Sequence, residues 1–274
     1  MPEFLCPVCG GVLAQGEKVE HCPSGHSFDR AKSGYVNLLV ARQSGAQHGD
    51  DKEMVRARRA FLDGSWYAPL RDALCSAAVR HAPAEGTVNL LDAGCGECYY
   101  TAAVAAALRA AGKRVSAAGV DISRDALRWG GKRARDLRLA VASVFRLPVA
   151  AESCDILLNV FAPFAGEEYC RVLRRGGMLL HVSPDEMHLW ELKKAVYQTP
   201  YRNDAAVPVQ EGLSLLGEER IGTVLHLTRH EDIANLFQMT PYVHKTGLAD
   251  AARLDALDAL DVTAAFVLRA YRRD

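Results

Sequence analysis

The chain has 274 residues, and its 33 basic residues balance 33 acidic ones, so its formal net charge is zero. This length allows one full-sized core and a small module, and the charge balance excludes a global field that would attract nucleic acid or an anionic membrane. The start of the chain has no signal-peptide pattern, and no apolar run approaches the roughly 20 residues that span a bilayer. The sequence therefore predicts a cytoplasmic protein whose 8 cysteines are ligands or buried thiols.

The first predicted feature is a metal knuckle. Cys6 and Cys9 form a C-x2-C pair, and Cys22 and His26 form a C-x3-H pair further along the chain. Three thiolates and one imidazole on two short turns suit a tetrahedral, structural Zn²⁺ with no open position for catalysis. His21 is the alternative ligand, but it directly precedes Cys22 and would strain the loop, so His26 is preferred.

The knuckle is followed by the rest of a small domain and by a linker. The stretch FDRAKSGYVNLLV alternates aromatic and basic residues and ends in an apolar run, which indicates the closing edge of a zinc ribbon. The stretch 41–51 is polar, contains glycine and lacks periodicity, which predicts a flexible linker or a surface loop. The predicted domains are a zinc ribbon at 1–40, the linker at 41–51 and a larger domain at 52–274.

The larger domain is predicted to begin with two helices that are separated at Asp63-Gly64, with Ser65 as the N-cap of the second. Strands and helices then alternate. The predicted strands cover 88–94, 114–121, 138–144, 154–161, 178–183, 222–228 and 262–271, and the predicted helices cover 99–111, 123–135, 167–174, 186–198, 231–238 and 248–260. This alternation predicts the α/β fold class, with a parallel, doubly wound sheet and helices on both faces.

A glycine turn follows the first predicted strand, in the stretch NLLDAGCGECYY. Gly94 and Gly96 permit a sharp turn and a close approach of backbone amides to a ligand. Asp121, at the end of the next strand, is positioned to accept hydrogen bonds from two ribose hydroxyls. The acidic Asp92 and Glu97 would repel a pyrophosphate but suit a ligand with an ammonium and a sulfonium. The turn therefore favours S-adenosylmethionine, while a dinucleotide and a turn without ligand are the alternatives.

The chain also resembles a known enzyme family. The turn DAGCGE followed by GVDIS is similar to that of class I methyltransferases, over about residues 52–274. Together with the knuckle and the stretches RRAFLDGSWYAPLRDAL, VFAP and RRGGMLLHVSP…HLWELK, it resembles the bacterial 23S rRNA (guanine-N1)-methyltransferases along nearly the whole chain. The resemblance implies a Rossmann-like domain that methylates N1 of a guanine with S-adenosylmethionine, a zinc ribbon that recognises a 23S rRNA hairpin, and a homodimer.

The resemblance implies roles for individual residues as well. It makes the four knuckle residues the zinc ligands and makes Gly96 and Glu97 the contacts to the methionine part of the cofactor. It adds Tyr67 and His188, which the residues alone would assign to helix packing and to a solvent-facing helix position. The family usually has a glycine at the position of Cys98, and a thiol there is expected to narrow the cofactor turn.

Further candidates concern the nucleic acid and the acceptor base. Asn159 lies at the strand end where class I enzymes orient the acceptor, and Phe161 either stacks on a base or packs in the core. RNA binding usually combines a basic track with stacking side chains. The candidate RNA contacts are Arg30, Lys32 and Tyr35 beside the knuckle, and Arg56, Arg58 and Arg59 on the first helix.

The reaction sets two further requirements. The N1 proton must leave, so a general base or a polarised O6 is expected, and the guanine must be unpaired or flipped out. Two other functions fit the sequence: a methyltransferase acting on tRNA or a small molecule with the ribbon as an interaction module, and a non-enzymatic zinc adaptor. The adaptor is disfavoured because Asp92, Gly94, Gly96 and Asp121 are all present.

Overall fold

The computed structural model describes residues 3–39 and 49–274. Most of the predicted linker at 41–51 lies outside the described residues, so its flexibility stays a prediction. In the described part, no helix is long and apolar enough to cross a membrane. The strands are β1 (Ala14–Gln15), β2 (Val19–His21), β3 (Ser27–Asp29), β4 (Tyr35–Asn37), β5 (Thr87–Ala93), β6 (Arg114–Asp121), β7 (Arg138–Val141), β8 (Cys154–Val160), β9 (Leu173–Pro184), β10 (Leu213–Leu227) and β11 (Leu260–Arg273).

The helices follow the predicted order, with several shorter than predicted. They are α1 (Lys52–Asp63), α2 (Ala68–His81), α3 (Tyr99–Ala110), α4 (Arg124–Arg133), α5 (Gly166–Val172), α6 (Trp190–Val196), α7 (His230–Gln238), α8 (Leu248–Asp255) and a 3-10 helix at Pro241–Lys245. The Asp51 side chain caps α1 by accepting from the amides of Glu53 and Met54. The predicted N-cap of α2 is wrong: Tyr67 is the cap residue, and Ser65 lies before it with φ +62°.

A large sheet forms the centre of the molecule, with the order β10-β11-β9-β8-β5-β6-β7-β4 among the described strands. The strands from β4 to β9 are parallel, which confirms the predicted α/β fold class. β11 is antiparallel to β9, and β10 is antiparallel to β11, so the prediction of a parallel sheet does not extend to the last two strands. Every position of β8 is buried, as expected for a central strand, whereas β10 is mostly exposed at the edge.

The zinc ribbon shares its last strand with this sheet. β1, β2 and β3 form a small antiparallel sheet, but β4 pairs in parallel with β7, Tyr35 opposite Leu139. The closing edge of the ribbon predicted from the sequence is therefore an edge strand of the large sheet. A strand of three residues has too short a pattern to indicate which sheet it joins.

The ribbon also packs on the large sheet through its side chains. Phe4 belongs to the same buried cluster as Leu157 and Leu179 of the central strands. The Arg138 guanidinium of β7 donates to the carboxylate of Glu20 in β2 at 2.6 Å, and both side chains are buried. The ribbon thus covers part of one face of the sheet, while α1, α2, α3 and α7 contribute to the buried cluster on the other face.

Candidate active site and zinc centre

The four knuckle residues form a metal-binding cluster. The ligand atoms of Cys6, Cys9, Cys22 and His26 all lie within 4.8 Å of one another. Cys22 Sγ lies 3.6 Å from Cys9 Sγ and 3.4 Å from His26 Nδ1. Tetrahedral Zn–S bonds of about 2.3 Å place two sulfurs about 3.8 Å apart, so the cluster fits Zn²⁺. The backbone amide of Gly11 also lowers the pKa of Cys9 to about 6, which favours the thiolate that binds metal.

A cavity of about 790 Å³ opens at the carboxyl ends of the parallel strands. Ligands of open α/β sheets bind at this edge. Its lining includes all seven predicted cofactor residues, the acceptor candidate Phe161 and several residues that the sequence did not single out. The predicted residues that line it are Tyr67, Asp92, Gly94, Gly96, Glu97, Asp121, Phe161 and His188, and the others include Asp50, Tyr100, His181 and Ser183.

The glycine turn forms the floor of this cavity. Gly94 has φ +97°, and a Cβ there would lie 2.4 Å from the Cβ of Ala162. The Gly96 amide donates to one carboxylate oxygen of Asp121 at 2.8 Å, and the Ser123 amide donates to the other at 2.7 Å. These bonds hold the Asp121 carboxylate against the turn, where its remaining lone pairs are available to a ribose.

Two buried carboxylates in the cavity wall have an oxygen without a partner. Asp92 Oδ1 and Glu97 Oε1 make no hydrogen bond among the described residues, although both side chains are almost fully buried. Burial raises the pKa of Asp92 to about 7 and also raises the pKa of Glu97. A buried acceptor without a partner is costly, and a ligand donor such as an ammonium would satisfy it. The cavity therefore fits S-adenosylmethionine.

Arg58, which the sequence suggested as an RNA contact, lies in the cavity wall. Its guanidinium pairs with the carboxylate of Asp50 and donates to the Met239 carbonyl at 3.0 Å. Burial acts to lower the pKa of Arg58, but the carboxylates of Asp50 and Glu97 outweigh it and raise the pKa. Arg58 thus balances part of the negative charge around the glycine turn.

Tyr67 and His188, far apart in sequence, meet in the cavity wall. The Ala265 amide donates to His188 Nδ1 at 3.2 Å, so the imidazole proton is on Nε2, 3.5 Å from the Tyr67 hydroxyl oxygen. Burial lowers the pKa of His188 to about 3, and the ring is neutral. The Tyr67 ring packs edge-on against Phe266 at a centroid distance of 4.8 Å.

The two residues predicted to contact the guanine that accepts the methyl group differ in position. Asn159 is fully buried, and its Nδ2 donates to the Tyr169 hydroxyl at 2.9 Å and to the carbonyls of Ala93 and Pro163 at 3.3 Å. Its polar atoms thus bind protein groups, and the contact of Asn159 with the acceptor base stays a prediction. Phe161, by contrast, is 42% exposed and lines the cavity. No sequence signal indicated His181, the neighbour of Asn159 across β8 and β9.

Comparison with known proteins gives matches to both parts of the chain. Residues 4–45 match the family described as RlmA, N-terminal, and residues 90–177 match a methyltransferase domain. The chain is 34% identical to the 23S rRNA (guanine(748)-N(1))-methyltransferase of Streptomyces fradiae, over 86% of this chain and 84% of that protein. It is 36% identical, over 99% of this chain and 98% of the other, to a Micromonospora griseorubida protein assigned to the same enzyme class.

The chain belongs to the 23S rRNA (guanine-N1)-methyltransferase family. The family confirms the predicted zinc ribbon, the class I methyltransferase fold, the cofactor S-adenosylmethionine and the zinc ion. The roles of individual residues stay predictions.

Cys98 in this methyltransferase does not narrow the cofactor cavity. The residue has φ +63° and is fully buried, and it is not part of the cavity lining. A Cβ at Gly130 of α4 would lie 2.8 Å from the Cys98 Sγ, so the thiol packs against that glycine. The backbone takes the left-handed conformation that favours glycine, and the absent side chain at Gly130 leaves room for the sulfur.

The RNA-contact candidates of the methyltransferase are mostly engaged within the protein. Arg30 donates to the carbonyls of Gly16 and Gly34, and Tyr35 packs against the core. Arg59 stacks on the Trp129 ring at 3.7 Å. Among the predicted contacts, the exposed side chains are those of Lys32 and Arg56.

Proposed function

We propose that this chain transfers the methyl group of S-adenosylmethionine to N1 of a guanine in a 23S rRNA hairpin. Family membership along nearly the whole chain supports this reaction. The observation that carries the proposal is the pair of unpartnered acidic oxygens, Asp92 Oδ1 and Glu97 Oε1, beside the glycine turn. A cationic ligand is expected in such a place.

The cavity residues divide the work of holding the cofactor. Asp121 accepts from the ribose hydroxyls, while Asp92 and Glu97 accept from the ammonium end. Gly94 and Gly96 let the backbone approach the ligand. The Tyr67–His188 pair forms another part of the cavity wall. When bound, S-adenosylmethionine supplies an electrophilic methyl group on a sulfonium.

The acceptor guanine is expected to enter past Phe161. Its exposed ring offers a face on which an unpaired or flipped base can stack. Alignment of N1 with the methyl carbon at about 3–3.5 Å then supplies most of the acceleration. The ribbon, with Lys32 exposed beside the knuckle, is positioned to hold the flanking hairpin.

The relative from Streptomyces fradiae acts at guanine 748, according to its name. We infer that the same guanine is the target of this chain. A substrate of this kind supports the proposal that the enzyme acts in the cytoplasm. The homodimer implied by the family resemblance stays a prediction, and light scattering of the zinc-loaded protein measures it.

Incubation with labelled S-adenosylmethionine and unmodified 23S rRNA tests the proposed function. The RNA is then digested, the labelled nucleoside is identified by mass spectrometry, and primer extension finds its position. Label in 1-methylguanosine at position 748 is the expected result. The Asp121→Ala variant serves as the control for cofactor binding, and tRNA is incubated in parallel. Label in tRNA alone, or in no RNA, would contradict the proposal.

A further inference from the structure

Among the described residues, one imidazole nitrogen of His181 has no hydrogen-bond partner. The Asn159 Nδ2 donates to the carbonyls of Ala93 and Pro163 and to the Tyr169 hydroxyl, which fixes the orientation of the amide. Asn159 Oδ1 therefore faces His181 Nδ1 at 2.7 Å and accepts its proton. With the proton on Nδ1, the neutral ring has its lone pair on Nε2.

This lone pair is available at the cavity. His181 lines the cavity, and its Nε2 has no hydrogen-bond partner within residues 3–39 and 49–274. Burial, and after it the nearby Arg269 guanidinium, lowers the pKa of His181 to about 4. Arg269 is itself held by Glu218, at 3.1 Å, and by Ser183. The imidazole is thus neutral at pH 7 and able to accept a proton.

The other histidine and the carboxylates of the cavity lining are engaged or lie elsewhere. His188 Nδ1 accepts from the Ala265 amide, and Asp121 accepts two amides. Asp50 pairs with Arg58. Asp92 and Glu97 flank the glycine turn, where the proposed cofactor carries its positive charge.

His181 is also connected to the proposed entry of the base. The Phe161 amide donates to the carbonyl of Val182 at 3.1 Å, so the backbone of Phe161 is joined to the residue next to His181. On its other side, Asn159 connects His181 to the Ala93 carbonyl, directly before the glycine turn. His181 is therefore linked through the backbone to the residue that offers the stacking ring and through Asn159 to the cofactor turn, and both His181 and Phe161 line the same cavity.

We propose that His181 Nε2 is the general base that removes the N1 proton of the guanine, an inference that rests on the proposed function. N1 bonds to the methyl carbon while the carbon–sulfur bond breaks and leaves its electron pair on sulfur. The N1 proton passes to Nε2, and the resulting imidazolium releases it to water. A weakly basic imidazole suffices because the N1–H becomes strongly acidic as N1 gains the methyl group.

Two substitutions separate the two ring nitrogens. His181→Asn places an amide near the Nδ1 position, which retains a donor to Asn159 but removes Nε2. His181→Gln reaches the Nε2 position with an amide that cannot take a proton. We expect both variants to bind S-adenosylmethionine and the rRNA hairpin within about threefold of the wild type, while kcat falls about 10²–10⁴-fold.

A third variant tests proton transfer itself. His181→Gly leaves space beside Asn159, and added imidazole is expected to restore part of its kcat, which a merely structural loss would not allow. Wild-type kcat in His181→Asn, or an equal loss of cofactor affinity and kcat without rescue, would overturn the role of His181. Failure of the wild type to label 23S rRNA would instead overturn the proposed function, so the two failures are distinguishable.

Discussion

Gly94 combines a left-handed backbone with a close contact, and both require glycine. At φ +97°, an added Cβ would lie 2.4 Å from the Ala162 Cβ, whereas Gly112, at φ +79°, has no atom within 4 Å of such a Cβ. Gly94→Ala is expected to lower the free energy of unfolding by about 1–3 kcal/mol more than Gly112→Ala, because it adds overpacking to a shared backbone strain. Urea unfolding of both variants measures this. Equal losses would contradict the contact with Ala162.

The buried neutral His188 gives a prediction for acid stability. Its pKa is about 3 in the folded protein, against about 6.5 in the unfolded chain. Below pH 6.5 the unfolded chain therefore binds the extra proton, and the folded state loses stability as the pH falls, by about 1.4 kcal/mol per pH unit.

Replacement of His188 by Gln removes this loss. Burial raises the pKa of Asp92 to about 7, so Asp92 stabilises the folded state as the pH falls. Both the wild type and His188→Gln contain Asp92, so its contribution cancels when their free energies of unfolding are compared. From pH 6.5 to pH 5, the wild type is expected to lose about 2 kcal/mol more than His188→Gln in urea unfolding. Parallel stability curves would show that His188 is not buried as a neutral ring.

Several of the predicted site residues have positions that depend on local chain geometry. The glycine turn, Asp121 at a strand end and the knuckle spacing are all set by neighbours in sequence. The protein contacts of Arg58 and Asn159 were not predicted, because their direction depends on packing between distant elements. His181 has no sequence signal, since its free nitrogen results from hydrogen bonds that fix Asn159 in the folded protein.

At the scale of elements, the ribbon carries the zinc cluster and contributes to the common core. Phe4 and Leu13 of the ribbon lie in the same buried cluster as the central strands. Loss of zinc is therefore expected to destabilise the whole chain. The variant Cys9→Ser should lower the melting temperature by more than about 5 °C, and a chelator should have a similar effect on the wild type.

Cys75→Ser is the matched control for that experiment. Cys75 is a half-buried thiol in α2, away from the zinc cluster. We expect this variant to keep its zinc content and to melt close to the wild type in differential scanning calorimetry. Separate melting of the ribbon, with the methyltransferase domain unchanged, would show that the two do not share one core.

The buried pair of Glu20 and Arg138 joins the ribbon to the large sheet. Their side chains are 2% and 5% exposed, and Glu20→Gln would leave the Arg138 charge buried without its partner. The expected loss is about 3–5 kcal/mol. Glu186→Gln breaks the exposed pair with Arg202 and should cost less than about 1 kcal/mol. Similar losses in chemical unfolding would show that the buried pair is exposed in solution.

The way in which the ribbon packs was not predictable from the sequence. The strands and helices of the larger domain follow from hydrophobic periodicity, which is a property of short segments. The partner of β4 and the pairing of Glu20 with Arg138 depend instead on how two segments far apart in the chain meet. The hydrophobic pattern of each segment does not contain that information. The antiparallel pairing of β10 and β11 was missed for the same reason, although a strand was predicted at each place.

At the scale of the whole molecule, one loop connects the zinc knuckle with the cavity. The Pro148 carbonyl accepts from the Leu5 amide at 2.7 Å, while Ser143, Val144 and Phe145 line the cavity. Phe145 is 63% exposed, and Arg146 beside it is exposed, with a side chain that has no hydrogen bond or ion pair among the described residues. An RNA that contacts both the ribbon and the cavity must pass this loop.

Arg146 is therefore expected to contact an RNA phosphate. Arg146→Ala should weaken binding of the rRNA hairpin and reduce the slope of log K against log salt by about 0.7–1, which corresponds to one lost phosphate contact. Arg114→Ala removes the same charge at the amino end of β6, on the edge of the sheet opposite the cavity. Fluorescence anisotropy at several salt concentrations compares the two variants. An equal effect of both substitutions would mean that the RNA responds only to total charge, and it would remove the loop from the path between ribbon and active site.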